Sequence, residues 1–232
     1  MSEFTFEPPA PPSPPPVPPL PWERPGAGVG DLWPTLTLLL GRPGEAFLRL
    51  SPTASVGRAL VFGLVVYVIS NALAQLWTLA LSSAMQGMLD RLGGGAFSEF
   101  QQFQLSPGVQ YILNVFLSPF IFVIGTLIGA GVVHLILLLL GGAPGGFETT
   151  LRVNAYSAAP TVAMVIPFLG GVIAMIWWIV LLIVGLAAAH RIPTGRAAAA
   201  VLIPVALCCV CLIVGIAVFA ASLTAMLGAA AK

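Results

Sequence analysis

Residues 141–160 read GGAPGGFETTLRVNAYSAAP. A glycine-rich turn leads into a helix start, with Glu148 in the first turn, where a negative charge complements the helix dipole. Glu148 and Arg152 are four apart, so they can pair on one helix face at a membrane surface. Tyr156 follows at the same spacing and belongs at the interface. Ala155, Ala159 and Ala163 form a stripe of small residues beneath it. Pro160 and Pro167 then disturb the helix, and Gly170-Gly171 turns the chain back. Long apolar runs flank this stretch, Val109–Leu140 before it and Val172–Ala189 after it. A short polar helix start between two membrane-length segments belongs to a polytopic membrane protein.

Composition agrees. Hydrophobic residues make up 58% of the chain and charged residues 7%, whereas a soluble domain carries about a quarter charged residues. A chain this apolar cannot cover its own surface in water, so membrane lipids must act as part of its solvent. Nucleic acid is excluded as a partner, because there is no basic run and Lys232 is the single lysine. Arginine in place of lysine, with heavy use of Ala, Gly and Pro, fits a GC-rich bacterial genome and hence a bacterial plasma (inner) membrane.

Five spans are expected, at about 59–81, 120–140, 150–169, 172–189 and 197–223, in an all-α helix bundle. A cytoplasmic N-terminus puts Arg24, Arg42, Arg49, Arg58, Arg152, Arg191 and Arg196 on one side and leaves Arg91 and Lys232 on the other. Loop Lys/Arg bias sets orientation, so the N-terminus is expected inside and the C-terminus outside. Val109 to Leu140 would measure about 48 Å as a straight helix, so Pro119 is expected to divide an interfacial piece from the crossing. The third span is short and the turn before the fourth holds no charge. Spans three and four are therefore either two full crossings or a re-entrant hairpin. Residues 82–107 form an external polar loop that could hold short interfacial helices.

Polar residues within the spans are the candidates for function. Asn71 and Gln75 share one helix face; amides in lipid need partners, so they either tie helices together or line a polar path. His134 is read first as a buried helix-to-helix hydrogen bond, with a proton relay or ligand contact as the alternative. Gly125 and Gly129 form a G-x-x-x-G, which lets helix backbones approach within one molecule or between copies. Trp177-Trp178, in mid-span, should pack against other helices. Cys208, Cys209 and Cys211 read as small hydrophobes rather than a disulfide framework. One such His and three isolated Cys make no metal site by spacing, and neither a cofactor motif nor a catalytic signature is present.

The N-terminal part differs. Residues 8–25, PPAPPSPPPVPPLPWERP, should be extended polyproline II with no packed core. A disordered cytoplasmic spacer is the plain reading. A docking ligand for a cytoplasmic partner is the other, from the P-x-x-P of Pro18 and Pro21 with Trp22 and Arg24 nearby. Arg42 to Leu50 follows as a short amphipathic segment in the headgroup region, with Pro43 in its first turn and a Glu45–Arg49 pair.

Several of these elements resemble the Yip-domain (Ypt-interacting-protein) family in its bacterial form. The resemblance rests on Pro43-Gly44-Glu45-Ala46-Phe47, on residues 142–160, and on Ile166-Pro167-Phe168-Leu169-Gly170. Trp177, Gly185 and the segment 190–204 extend it. It implies five helices and a cytoplasmic N-terminus, with a tail over 1–41, the Yip-like domain over 42–227 and a short end at 228–232. Eukaryotic relatives bind Rab-type GTPases and shape trafficking membranes. Asp31-Leu32-Trp33-Pro34 matches part of their cytoplasmic Asp-Leu-Tyr-Gly-Pro element and lacks its glycine. The expected role is a non-enzymatic adaptor or membrane-organising factor, with a membrane-protein or second-copy partner. The alternative is a transporter or lipid-handling protein using a path between helices.

Overall fold

Four helices among the described residues are long and apolar enough to cross a membrane; a computed structural model describes residues 18–51, 54–93 and 105–230. Two short helices come first, α1 (Leu32–Gly41) and α2 (Pro43–Leu48). The long helices are α3 (Val56–Gly93), α4 (Pro107–Leu139), α6 (Gly170–His190) and α7 (Thr194–Ala230). Between α4 and α6 lies α5 (Gly146–Tyr156), continued by a 3-10 helix, Ala159–Val165. No strand occurs among the described residues. In lipid this is the expected outcome, since a helix satisfies its own backbone groups.

Hydrogen bonds between elements fix which ends meet. Trp22 Nε1 donates to the Arg58 carbonyl at 2.7 Å, joining the N-terminal segment to the start of α3. Arg196 Nη1 donates to the Gly141 carbonyl at 3.0 Å, joining the start of α7 to the end of α4. The Gly145 N–H reaches His190 Nδ1 at 3.2 Å, joining the start of α5 to the end of α6. At the opposite end, Trp77 Nε1 donates to the Val165 carbonyl at 2.8 Å. One end of the bundle thus gathers Arg24, Arg42, Arg49, Arg58, Arg152, Arg191 and Arg196, while Arg91 lies beyond Trp77 on α3.

The core is asymmetric. Phe62, Tyr156, Leu137, Leu181, Leu186 and Phe47 are fully buried near the arginine end. α7 leaves the bundle after Val201: only 6% of its most apolar window is buried. Cys208, Cys209 and Cys211 are exposed on it as free thiols.

Several expectations change. The third span is not one membrane-length helix: α5 stops at Tyr156, and Pro160 sits buried in the first turn of the 3-10 helix. A prolyl ring tolerates the first turn, where its missing N–H goes unused. α4 runs unbroken through Pro119, so no break in the helix divides residues 109–118 from the expected crossing. α3 extends past the expected span to Gly93, which turns nearly half of the external loop into helix; residues 94–104 lie outside the described residues. The boundary at 41 also moves. Leu20, Leu36 and Leu39 belong to the core, and the Leu20 N–H bonds the Arg49 carbonyl at 3.2 Å. Residues 20–41 therefore fold with the bundle instead of forming a free tail. Of the proline-rich run, 8–17 lies outside the described residues. Pro21 is buried at the start of the 3-10 helix Pro21–Glu23, so the P-x-x-P of Pro18 and Pro21 is not an open ligand.

A buried polar helix as the candidate functional site

Every residue from Thr150 to Pro160 is buried, although Thr150, Arg152, Asn154, Tyr156 and Ser157 are polar. α5 is thus a polar helix surrounded by apolar ones. Buried polar groups are costly unless hydrogen-bonded; Thr150, Arg152 and Tyr156 find partners on different neighbours, while Asn154 Nδ2 is buried without one among the described residues.

Glycines admit the helix. A Cβ on Gly63 of α3 would fall 2.4 Å from the Ala155 carbonyl oxygen, and one on Gly185 of α6 would fall 2.7 Å from Val153 Cγ1. Both neighbouring helices therefore approach α5 as closely as only glycine allows. The G-x-x-x-G of α4 plays a smaller part. Nothing lies within 4 Å of a Cβ on exposed Gly125, while one on Gly129 would meet Asn154 Nδ2 at 3.4 Å.

One polar cluster joins α5 to the N-terminal segment. Glu23 Oε1 accepts from Arg152 Nη2 at 2.6 Å and from Tyr156 Oη at 3.0 Å, while Glu23 Oε2 accepts from the Ser51 N–H at 2.7 Å. The Glu23 side chain is fully buried. The Tyr156 ring packs on Phe62 with centroids 5.2 Å apart. This overturns two expectations. Arg152 does not pair with Glu148, which is exposed and makes no ion pair among the described residues; the fully buried carboxylate of Glu23 offers a stronger interaction than one facing solvent. Tyr156 sits in the core and not at the interface, because its hydroxyl has that carboxylate to donate to.

A second cluster joins α5 to α4 and α6. His134 Nδ1 and Thr150 Oγ1 are 2.9 Å apart, and Thr150 Oγ1 and His190 Nε2 are 3.0 Å apart. The Gly145 N–H can only donate, so His190 Nδ1 accepts and Nε2 carries the ring proton. That proton goes to Thr150, whose own proton goes to His134. This arrangement gives each of the three contacts one donor and one acceptor. The two imidazoles stand 6.5 Å apart, and Phe147 meets His134 edge-on.

Asn71 and Gln75 do not join these clusters. They are partly buried on α3 and form no hydrogen bond with a described residue. Asn71 lies about 20 Å along α3 from Arg58, whereas His134 is at the arginine end. A single polar path through Asn71, Gln75 and His134 is therefore not built. Two participants escape a reading of the sequence. Glu23 stands 129 positions from Arg152, inside a run that reads as extended. His190 falls in an expected loop, and only its place one residue before Arg191 hints at a helix end. Among the described residues, no group of three or more His, Cys, Asp or Glu could hold a metal ion.

No curated protein and no solved structure matches this chain. The Yip1 domain matches residues 37–216, more than half of it. That range contains three of the four apolar spans whole and the fourth as far as Ile216, with the buried polar helix and its glycine-lined neighbours. The chain is a multi-pass membrane protein that belongs to the Yip1-domain family.

Proposed function

We propose that this protein is a non-enzymatic adaptor or membrane-organising factor of a bacterial plasma membrane. It has five crossings, a cytoplasmic N-terminus and an external C-terminus. The observation that carries the reading is the docking of residues 20–51 onto the bundle through Glu23, Arg152 and Tyr156. A proline-rich run placed immediately before a folded anchor is a tether whose base is fixed to the membrane domain. A partner bound there would be held at the membrane surface.

The fifth crossing is assigned to α5 plus its 3-10 continuation. With 11 and 7 residues, the two would cover about 30 Å end to end, close to the ~30 Å of a hydrocarbon core. The Trp77–Val165 hydrogen bond, far along α3 from Arg58, supports full passage over a re-entrant hairpin. The arginine end is assigned to the cytoplasm by the positive-inside rule. Arg152, being buried against Glu23, contributes little to that bias. Exposed Arg42 and Arg191 carry more of it.

Affinity purification from native membranes tests the adaptor reading, comparing full-length protein with a variant lacking residues 1–17. Removing 1–41 would destroy part of the core and is the wrong comparison. The reading expects a stoichiometric partner that is lost with residues 1–17. Recovery of the same partner without them would move the contact to the helices or loops. No partner in either sample would count against the adaptor reading and favour transport or lipid handling.

A further inference from the structure

A cleft of about 380 Å³ opens at the arginine end, between α2, the start of α5 and the end of α6. Its walls have two characters. Phe47, Leu48 and the end of α6 supply an apolar side, and Arg152, His190 and Arg191 a polar one. Among the described residues, no carboxylate lines it. Glu148, on the first turn of α5, lies outside it.

Three further facts concern its arginines. Glu23 balances the charge of Arg152, whose Nε is buried without a hydrogen-bond partner among the described residues. Arg191 makes no ion pair among the described residues and is exposed. Arg191 also has φ 55°, left-handed backbone at the C-cap of α6. Glycine or asparagine usually occupies such a position. A long cationic side chain there is held at conformational cost, which marks it as a candidate for function.

We infer that this cleft takes the headgroup of an anionic phospholipid, a phosphodiester of net charge −1. The phosphate is recognised by Arg191, with Arg152 behind it, and the upper acyl chains lie against Leu48 and Leu50. One uncompensated guanidinium calls for one negative charge, and guanidinium geometry matches phosphate oxygens. The first turn of α5, which contributes Thr149 to the cleft, adds the positive end of the helix dipole. An amphiphile is favoured over a free anion because the cleft lies where a membrane-spanning helix ends and is half apolar. Leu48, 66% exposed, offers its side chain to such a chain. The inference goes beyond the adaptor reading and needs only that the apolar spans cross a bilayer.

The test uses full-length protein in nanodiscs of phosphatidylcholine doped with phosphatidylglycerol. Lipid retained after transfer to detergent is counted by native mass spectrometry. Wild type should retain phosphatidylglycerol over phosphatidylcholine. Arg191→Gln should lower that retention about tenfold, the scale of one hydrogen bond to a charged group. Leu48→Glu, a surface change that sets a carboxylate at the rim, should lower it as well. Arg42→Gln, at an exposed arginine of the same end that does not line the cleft, should leave it unchanged. Thermal melting verifies that each variant is folded. Equal retention by wild type, Arg191→Gln and Leu48→Glu would overturn the assignment. So would displacement of the lipid by inorganic phosphate at matched concentration, which would make the cleft a free-anion site. The readout is separate from partner capture, so either reading can fail alone.

Discussion

At the scale of single residues, Glu23 carries more than its position suggests. Its carboxylate is fully buried and holds Arg152, Tyr156 and the Ser51 N–H together. Removing one partner of a buried ion pair leaves the other charge uncompensated. Glu23→Ala should therefore lower stability by about 3–5 kcal/mol, read as a drop in melting temperature in detergent. Glu148→Ala should lie within about 0.5 kcal/mol of wild type, as an exposed substitution does. Equal losses would restore the local Glu148–Arg152 pair that the spacing suggests. Thr150→Val keeps the shape but strands both His134 and His190, and should cost about 1–3 kcal/mol. The sequence exposes His134, because a histidine inside an apolar span stands out. It cannot expose Glu23, since pairing across so much of the chain has no periodicity to betray it.

At the scale of elements, α5 shows how a polar helix can be the centre of a membrane bundle. Lipid is as apolar as a leucine side chain, so helices associate through close packing and hydrogen bonds. Gly63 and Gly185 supply the first and Thr150, Arg152 and Tyr156 the second. Gly63→Ala should destabilise by about 1–3 kcal/mol, toward the upper end of overpacking effects, because the atom in the way is the backbone oxygen of Ala155. Gly125→Ala should be neutral in the monomer, as nothing lies near its Cβ position. Melting of both variants in one detergent checks the contrast. The apolar runs make α4, α6 and α7 legible, since hydropathy sees long spans well. The α5 region is legible as a helix start with a proline break, yet its burial is hidden. A polar pattern reads as surface unless the partners that neutralise it are known.

At the scale of the whole molecule, residues 20–51 belong to the membrane domain. A variant lacking 1–17 should melt within about 0.5 kcal/mol of the full chain. One lacking 1–31 loses Leu20, Trp22 and Glu23, and should fold poorly in a melting or protease-resistance assay. The arginine asymmetry of the sequence marks one end of the bundle, but it does not choose between a crossing and a hairpin, because both return the chain to the same face. The central claim is that α5 and its 3-10 helix complete a crossing. Cysteine labelling tests it most directly, in a background with Cys208, Cys209 and Cys211 replaced by alanine. Phe168, 84% exposed at the turn before α6, and Gly195, with open space around it at the start of α7, are each changed to cysteine. A membrane-impermeant maleimide should label Phe168→Cys only from the side opposite to Gly195→Cys. Labelling of both from one side, or protection of Phe168→Cys from both, would contradict the crossing and leave a re-entrant hairpin.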